Sequence, residues 1–140
     1  MKTIIYILIF ISSLTLKGQT VIEMGHPADA DLILLETKDS SLADFFIYKT
    51  DYKRDAAQWD YVWKFKKWGF CNFSVYILKD ISEMDNVELD EGIEYIVHGI
   101  VYFTTDCEKR GVKKKGFALE GIMKVNRTKK LVLSNPCHKK

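Results

Sequence analysis

Carboxylate side chains recur at regular positions in the first half of the chain, and carboxylates can bind calcium or act as general acids and bases. Asp31 and Asp44 each precede a hydrophobic segment, and Asp29 lies two residues before Asp31. The three could line a calcium site or the acidic centre of a small hydrolase. A residue reused at the same point of each repeat is better explained by turn geometry, because Asp or Asn at a strand entrance hydrogen-bonds its own backbone. We therefore expect a structural role for these acids and no catalytic residue among them.

The histidines and cysteines show no recognisable metal or nucleophile arrangement. His26, His98 and His138 are far apart and lack the spacing of paired metal ligands. His98 lies in a strand-like run, which predicts a hydrogen-bonded strand residue. Cys71 and His98 could form a nucleophilic pair, but nothing nearby in the sequence would activate either. Since no glycine-rich phosphate loop follows a strand, the sequence predicts a protein that is not an enzyme and carries no cofactor or metal.

Three cysteines in an exported chain predict one disulfide and one remaining thiol. Cys71 occupies a position where the related repeats have alanine, which predicts a packed, inert thiol. Cys107 and Cys137 are then the expected pair. Closing that loop of about 30 residues would stabilise the fold by roughly 3–4 kcal/mol in the chain-entropy model.

Charge is distributed unevenly along the chain. Residues 19–106 carry 8 basic and 17 acidic side chains, whereas residues 107–140 carry 11 basic and 2 acidic ones. Such a basic segment can bind a polyanion such as a polysaccharide, a lipid headgroup or a nucleic acid. Alternatively, it folds against the acidic body and is neutralised internally, which we favour. The candidate polyanion-binding residues are Arg110, Lys113, Lys114, Lys115, Arg127, Lys129 and Lys130, with Lys124 in the same run.

The first 18 residues have the pattern of a cleaved secretory signal. Lys2 precedes an apolar run from Ile4 to Leu16, which is too short for a membrane span. We therefore expect an exported protein, periplasmic or extracellular, with no transmembrane anchor after cleavage. Its partner is not identified by the sequence; an envelope polyanion or another envelope protein is possible.

A short unit repeats after this segment. Its copies begin with Ala30-Asp31 and Ala43-Asp44, thirteen residues apart, and a degenerate copy begins with Cys71-Asn72. In each copy a hydrophobic stretch follows the polar residue, which is strand composition. Both pleat faces are apolar in places, so these strands should be covered on both sides. The connectors are short, which favours either a meander or a chain that winds from one sheet to another.

An aromatic row lies in the middle of the chain. Trp59, Tyr61, Trp63 and Phe65 alternate with other residues, so they should line one face of a strand. Such a face can stack on sugars or single-stranded nucleic acid, but more often it belongs to the core. We predict that it is core.

These units, the thirteen-residue step and the tryptophan-rich stretch from Trp59 to Trp68 resemble the septoil-knot family of small bacterial proteins of unknown function. The resemblance covers about residues 28–85. It implies a β-rich domain whose chain winds into a deep knot, an exception to the usual rule against threaded chains. It brings no catalytic or binding residues. The chain departs from the pattern at Ala56-Ala57 and at Cys71-Asn72.

The remaining segments complete the expected organisation. Residues 19–29 read as a lead-in without an element of their own, and residues 81–92 read as a surface loop or short helix. Three β segments, 93–105, 112–125 and 131–133, follow, and Gly99 and Gly121 indicate bulges or close backbone contacts. We predict a signal peptide (1–18), a repeat-containing knotted β domain (19–92) and a C-terminal β-hairpin segment (93–140) in the same domain. The fold class is β-rich, all-β or α+β with short helices, and the function is that of a non-enzymatic structural or binding module of the cell envelope.

Overall fold

The computed structural model describes residues 19–58, 60–86 and 95–119. This part of the chain is β-rich and contains only short helices, as the sequence predicted. The strands are β1 (Thr20–Glu23), β2 (Leu32–Glu36), β3 (Phe45–Lys49), β4 (Val62–Lys66), β5 (Phe73–Leu78), β6 (Gly99–Thr104) and β7 (Gly111–Val112). The helices are α1 (Lys53–Gln58) and three 3₁₀ turns, Pro27–Asp29, Ile81–Asn86 and Cys107–Lys109.

Six of the strands form a closed parallel barrel. They follow one another around it in the order β4, β1, β5, β2, β6 and β3, and pairing of β3 with β4 closes the ring. All six pairings are parallel. Every strand therefore starts at one end of the barrel, here called the entrance rim, and finishes at the other, the exit rim.

Strands that are consecutive in the chain are mostly not neighbours in the barrel. β5 lies between β1 and β2, and β6 lies between β2 and β3; only β3 and β4 are adjacent in both senses. The parallel arrangement rules out a meander, because each link must return from the exit rim to the entrance rim. Most of these links join strands that are not immediate neighbours, and some are short: residues 37–44 connect β2 to β3, and residues 67–72 connect β4 to β5.

The inner face of the barrel is filled by large side chains. The fully buried residues that pack together include Trp63, Phe45, Leu34, Ile47 and Val75. A six-stranded ring is narrow, and side chains fill the interior of small barrels. The apolar character of both faces of the repeat is also confirmed, since Leu32, Ile33 and Leu34 are all buried. Each such side chain contributes about 1.5–3 kcal/mol on burial.

The entrance rim is plugged by residues that follow β7. The Phe117 ring stacks on Phe45 with centroids 5.0 Å apart, and Leu119 joins the same buried cluster. Gly99 makes this approach possible, because a Cβ atom there would lie 2.9 Å from two Phe117 ring carbons. The close backbone contact predicted for Gly99 is confirmed, whereas Gly121 lies outside the described residues.

The pairing of β3 differs between its two halves. β4 pairs with Tyr48 and Lys49, at the exit half, while β7 pairs antiparallel with Phe45 and Phe46, at the entrance half. The two barrel strands thus separate toward the entrance rim, and β7 fills the gap.

Tyr61, just before β4, has φ of 60°, a conformation that non-glycine residues seldom adopt.

Three expectations from the sequence need correction or completion. The lead-in 19–29 contains a barrel strand, β1, whose Val21 is fully buried. Ala56-Ala57, the degenerate start of a further repeat, lies in α1, which also includes part of the expected connector before it. The segment 81–86 is a short helix, as one of the two alternatives predicted.

The predicted C-terminal hairpin is represented only in part. β6 and β7 both pair with β3 and not with each other. Residues 120–140 lie outside the described part, as do 1–18 and 87–94, so the hairpin and the signal peptide stay predictions.

Candidate functional site

The polar residues of the repeat bind the backbone of neighbouring strands at the entrance rim. Each lies one position before its own strand, and its side chain accepts a backbone N–H from the adjacent strand. The four acceptor–donor pairs are Asp31 with Ser74, Asp44 with Ile100, Asn72 with Thr20 and His98 with Ile33, each at 2.8 Å. We call these four side chains the acceptor ring.

The contacts of the acceptor ring are reciprocal. The backbone N–H of Asp44 donates to the carbonyl of Ile100 at 2.8 Å, while the N–H of Ile100 donates to the Asp44 carboxylate. The other three pairs repeat this arrangement. A side-chain oxygen or nitrogen therefore supplies the acceptor that the backbone would supply if the strand were longer. Buried backbone N–H groups need such partners, since leaving one unpaired is costly.

This geometry corrects the role predicted for the aspartates. They do have a structural role, but the backbone they bind belongs to another strand, 43 residues away for Asp31 and 56 for Asp44. The side chain of Asp29 is not part of the acceptor ring; Asp29 is exposed in the 3₁₀ turn Pro27–Asp29. Among the residues that the structure describes, no group of three or more His, Cys, Asp or Glu side chains could hold a metal ion. The arrangement thus gives no support to the calcium or hydrolase alternative.

His98 behaves as a hydrogen-bonded strand residue, as predicted. Its Nδ1 atom accepts from Ile33, so this nitrogen is occupied and cannot act as a general base toward Cys71. Gln19 contributes a variant of the same device, because its Oε1 accepts from the N–H of Tyr61 at 2.9 Å. The sequence did not identify His98 or Gln19 as members of the repeat, since only their position before a strand relates them to the aspartates.

The exit rim carries charged and hydroxyl side chains. Lys79 Nζ lies 3.0 Å from Glu36 Oε2. This hydrogen bond and the charge of Glu36 raise the pKa of Lys79 above its ordinary value, and Glu23 and Glu83 act in the same direction. Lys49 Nζ lies 3.7 Å from the centroid of the Phe103 ring. The exit rim therefore carries charged side chains of both signs, some of them paired.

The described part of the predicted polyanion site is largely engaged within the protein. Arg110 donates from Nε to the carbonyl of Asp60 at 3.2 Å and from Nη1 to that of Cys107 at 2.6 Å. Lys114 Nζ lies 3.6 Å from the Asp44 carboxylate, and Lys113 Nζ lies 4.8 Å from the centre of the Phe46 ring. Lys115 is exposed. Arg127, Lys129, Lys130 and Lys124 lie outside the described residues.

The two described cysteines, Cys71 and Cys107, differ in their exposure to solvent. Cys71 is exposed, so the prediction of a packed thiol is wrong. It lies in the link before β5, where the alanines of the other repeats are buried. Cys107 is half-buried, and its Sγ accepts from Arg110 Nη1 at 3.2 Å. Cys137 lies outside the described residues, so the pairing of Cys107 with Cys137 stays a prediction.

The aromatic row is divided between the core and the solvent. Trp63 is fully buried and Phe65 packs against the same cluster, so the prediction of a core role is confirmed for them, while Trp59 lies outside the described residues. In contrast, Trp68 is 82% exposed and Phe70 is 98% exposed. Both lie in the link 67–72 between β4 and β5, which we call the aromatic loop. In the sequence, Gly69 lies between the two rings and is the residue that indicates a turn there.

The aromatic loop has a defined shape. Gly69 has φ of +95°, which turns the chain between Trp68 and Phe70 and which glycine adopts without strain. Lys66 Nζ donates to the carbonyl of Phe70 at 3.2 Å and so bridges the base of the loop. Two large apolar side chains are therefore held in solvent by a short turn next to the lysine pair Lys66 and Lys67.

The comparisons with known proteins found no match. No family model, no curated protein and no solved structure is similar enough to this chain to be reported. Within the described ranges, no helix is long and apolar enough to cross a membrane.

Proposed function

We propose that this protein is an exported, non-enzymatic binding module of the cell envelope, and that its binding surface is the aromatic loop. The single observation that carries the proposal is the exposure of Trp68 and Phe70 on a shaped turn. Large apolar side chains that are this exposed and only two residues apart are typical of interaction sites, since burying each of them would contribute about 1.5–3 kcal/mol. Two of the three aspartates considered for a hydrolase, Asp31 and Asp44, are engaged in the acceptor ring, which supports a scaffold role for the barrel.

The anchoring of the loop supports the argument for binding. Both of its ends continue directly into barrel strands, β4 and β5, which flank β1. The hydrogen bond from Lys66 to the Phe70 carbonyl and the turn at Gly69 restrict the loop backbone. A backbone restricted in this way loses less conformational entropy when it binds.

Sedimentation with envelopes tests the proposal. The purified full chain, without its signal, is mixed with washed bacterial envelopes, and the bound fraction is compared with that of a Trp68→Ala/Phe70→Ala variant. A matched control is Leu42→Ala/Tyr52→Ala, since these side chains are 62% and 72% exposed on other links. We expect the wild type and the control to sediment and the loop variant to stay in solution. Equal sedimentation of all three proteins, or of none, would overturn the proposal.

We further propose that the barrel follows the knotted path implied by the resemblance to the septoil-knot family. The order of the strands supports this, because the later strands β5 and β6 are inserted between earlier ones, β1 with β2 and β2 with β3. Stretching the chain by its two ends in an optical trap tests it, under reducing conditions because the predicted Cys107–Cys137 disulfide would also shorten the extension. An unknotted chain extends to about 3.3–3.6 Å per residue. A tightened knot would store residues and shorten that length, and a full-length extension would overturn the knot.

A further inference from the structure

We propose that the aromatic loop docks on an anionic lipid surface, with Trp68 and Phe70 entering the interface and Lys66 and Lys67 facing the headgroups. This inference rests on the proposed function and names the partner of the same surface. It is argued from the exposure of Trp68 and Phe70, the turn at Gly69 and the lysines near the loop.

The composition of the loop matches the membrane interface better than a protein groove. Tryptophan prefers the headgroup level of a bilayer because its ring is apolar and its N–H is polar. Within the described residues, the rings of Trp68 and Phe70 make no aromatic or cation–π contact with another side chain. Both rings are thus available to enter an apolar layer.

The lysines near the aromatic loop favour a lipid surface of negative charge. The stretch 61–72 contains three lysines and no carboxylate, whereas residues 19–106 as a whole carry more than twice as many acidic as basic side chains. The stretch around the aromatic loop is therefore basic, whereas residues 19–106 as a whole are acidic; a second basic stretch lies in residues 107–140. An anionic surface would attract both basic stretches, and the loop differs from the second one in its two exposed rings.

Lysine suits this role because its ammonium group makes a diffuse contact with many headgroups. Lys66 already donates to the Phe70 carbonyl, so it contributes its charge from the base of the loop. Lys67 is exposed and adjoins Trp68. Substitution of Lys67 therefore tests the charge without removing the bridge that shapes the loop.

Binding to protein-free vesicles tests the proposal with the full chain without its signal. The probes are vesicles of mixed phosphatidylcholine and phosphatidylglycerol and vesicles of phosphatidylcholine alone. We expect sedimentation with the anionic vesicles, and each ring removed should weaken it about tenfold or more. Lys67→Gln should weaken binding several-fold and reduce its dependence on salt. Leu42→Ala/Tyr52→Ala should bind like the wild type.

A second readout locates the contact. Lipids brominated near the headgroup should quench tryptophan fluorescence in the wild type, and the quenching should fall in Trp68→Phe, because Trp63 is buried in the core. A urea unfolding curve for each variant confirms that it is folded. Since the rings of the loop are exposed, these substitutions should leave the curve unchanged.

The outcomes separate the two proposals. Absence of vesicle binding, or equal binding by Trp68→Ala/Phe70→Ala, would overturn the lipid proposal. If envelopes still retain the protein through the loop, the proposed function stands and the partner is a protein or another envelope component. Analytical ultracentrifugation of the wild type and the loop variant distinguishes a third case. If vesicles are not bound and only the wild type self-associates, the lipid proposal is overturned and the occupant is a second copy of the chain. Failure with both vesicles and envelopes would overturn both proposals.

Discussion

The Nδ1 atom of His98 accepts the backbone N–H of Ile33 at 2.8 Å, across 65 residues of chain. Asp31, Asp44 and Asn72 occupy the same position before their own strands, and their side-chain oxygens accept backbone N–H groups of neighbouring strands. Four side chains of three chemical types thus meet one requirement, an acceptor directed at a backbone N–H near the start of the neighbouring strand. The acceptor ring replaces the backbone that short strands lack at the entrance rim.

Removal of the imidazole acceptor should destabilise the barrel. In His98→Ala the N–H of Ile33, a residue only 3% exposed, would lose its partner. An unpaired buried N–H costs about 1–3 kcal/mol, so the free energy of unfolding in urea should fall by about that amount. His98→Asn is the control, because an asparagine oxygen fills this role at Asn72. If both variants lost equal stability, the hydrogen bond would not be the cause.

Gly99 should not tolerate a methyl group. A Cβ there would lie 2.9 Å from the Phe117 ring and 3.2 Å from Phe45, so Gly99→Ala should force the plug to shift and lower the free energy of unfolding by about 1–3 kcal/mol. Gly25→Ala is the matched control, since nothing lies within 4 Å of its Cβ position. In Phe117→Leu the methyl should cost less, and an unchanged cost in that background would contradict the steric explanation.

The sequence was sufficient to identify those strands whose hydrophobic segments follow the alanine–aspartate pair. β2 and β3 begin immediately after Asp31 and Asp44, and the small residues before them, Ala30 and Ala43, are buried as their type suggested. Burial on both faces followed from the apolar residues at successive positions. These features depend on local composition, which a single sequence records.

Strand pairing and the candidate site depended on long-range contacts that the sequence does not record. β1 is only four residues long and was read as a lead-in, because its burial comes from β4 and β5, far along the chain. The repeat was recognised only where the residue before the strand is Asp or Asn, and these residues were expected to bind their own backbone; a histidine in the same place shares no sequence pattern with them. Trp68 and Phe70 were given no role, because they lie beyond the alternating row that ends at Phe65 and the sequence does not show which rings outside a strand are exposed.

Protonation of Asp80 should weaken the turn that follows β5. The backbone N–H of Ser82 and its hydroxyl donate to this carboxylate at 2.9 and 2.7 Å, and these bonds hold the pKa of Asp80 below its ordinary value of 3.8. Because the pKa is lower in the folded state, the stabilising contribution is present above pH 3.8 and is lost as the pH falls through the folded pKa. In Ser82→Ala the pKa of Asp80, followed by NMR of its carboxyl carbon, should move part of the way back toward 3.8, because the hydroxyl donor is lost and the backbone donor remains. Asp39, bound in the same way by Ser41, should not respond; a shift of Asp39 would show that the effect is not local.

The basic C-terminal segment should bind an immobilised polyanion only weakly. Arg110 is engaged with backbone carbonyls, and Lys114 pairs with Asp44, so these cations are already partly neutralised by the body. We expect elution below roughly 0.3 M salt, where screening leaves little of a diffuse attraction. Lys113→Ala/Lys114→Ala/Lys115→Ala should then change the elution position slightly, and Lys38→Ala/Lys53→Ala/Arg54→Ala serves as a control with the same loss of charge outside both proposed binding surfaces. Retention well above that salt concentration, weakened by the first triple variant and not by the control, would instead make the basic segment a functional surface, with Arg127, Lys129 and Lys130 as its remaining candidates.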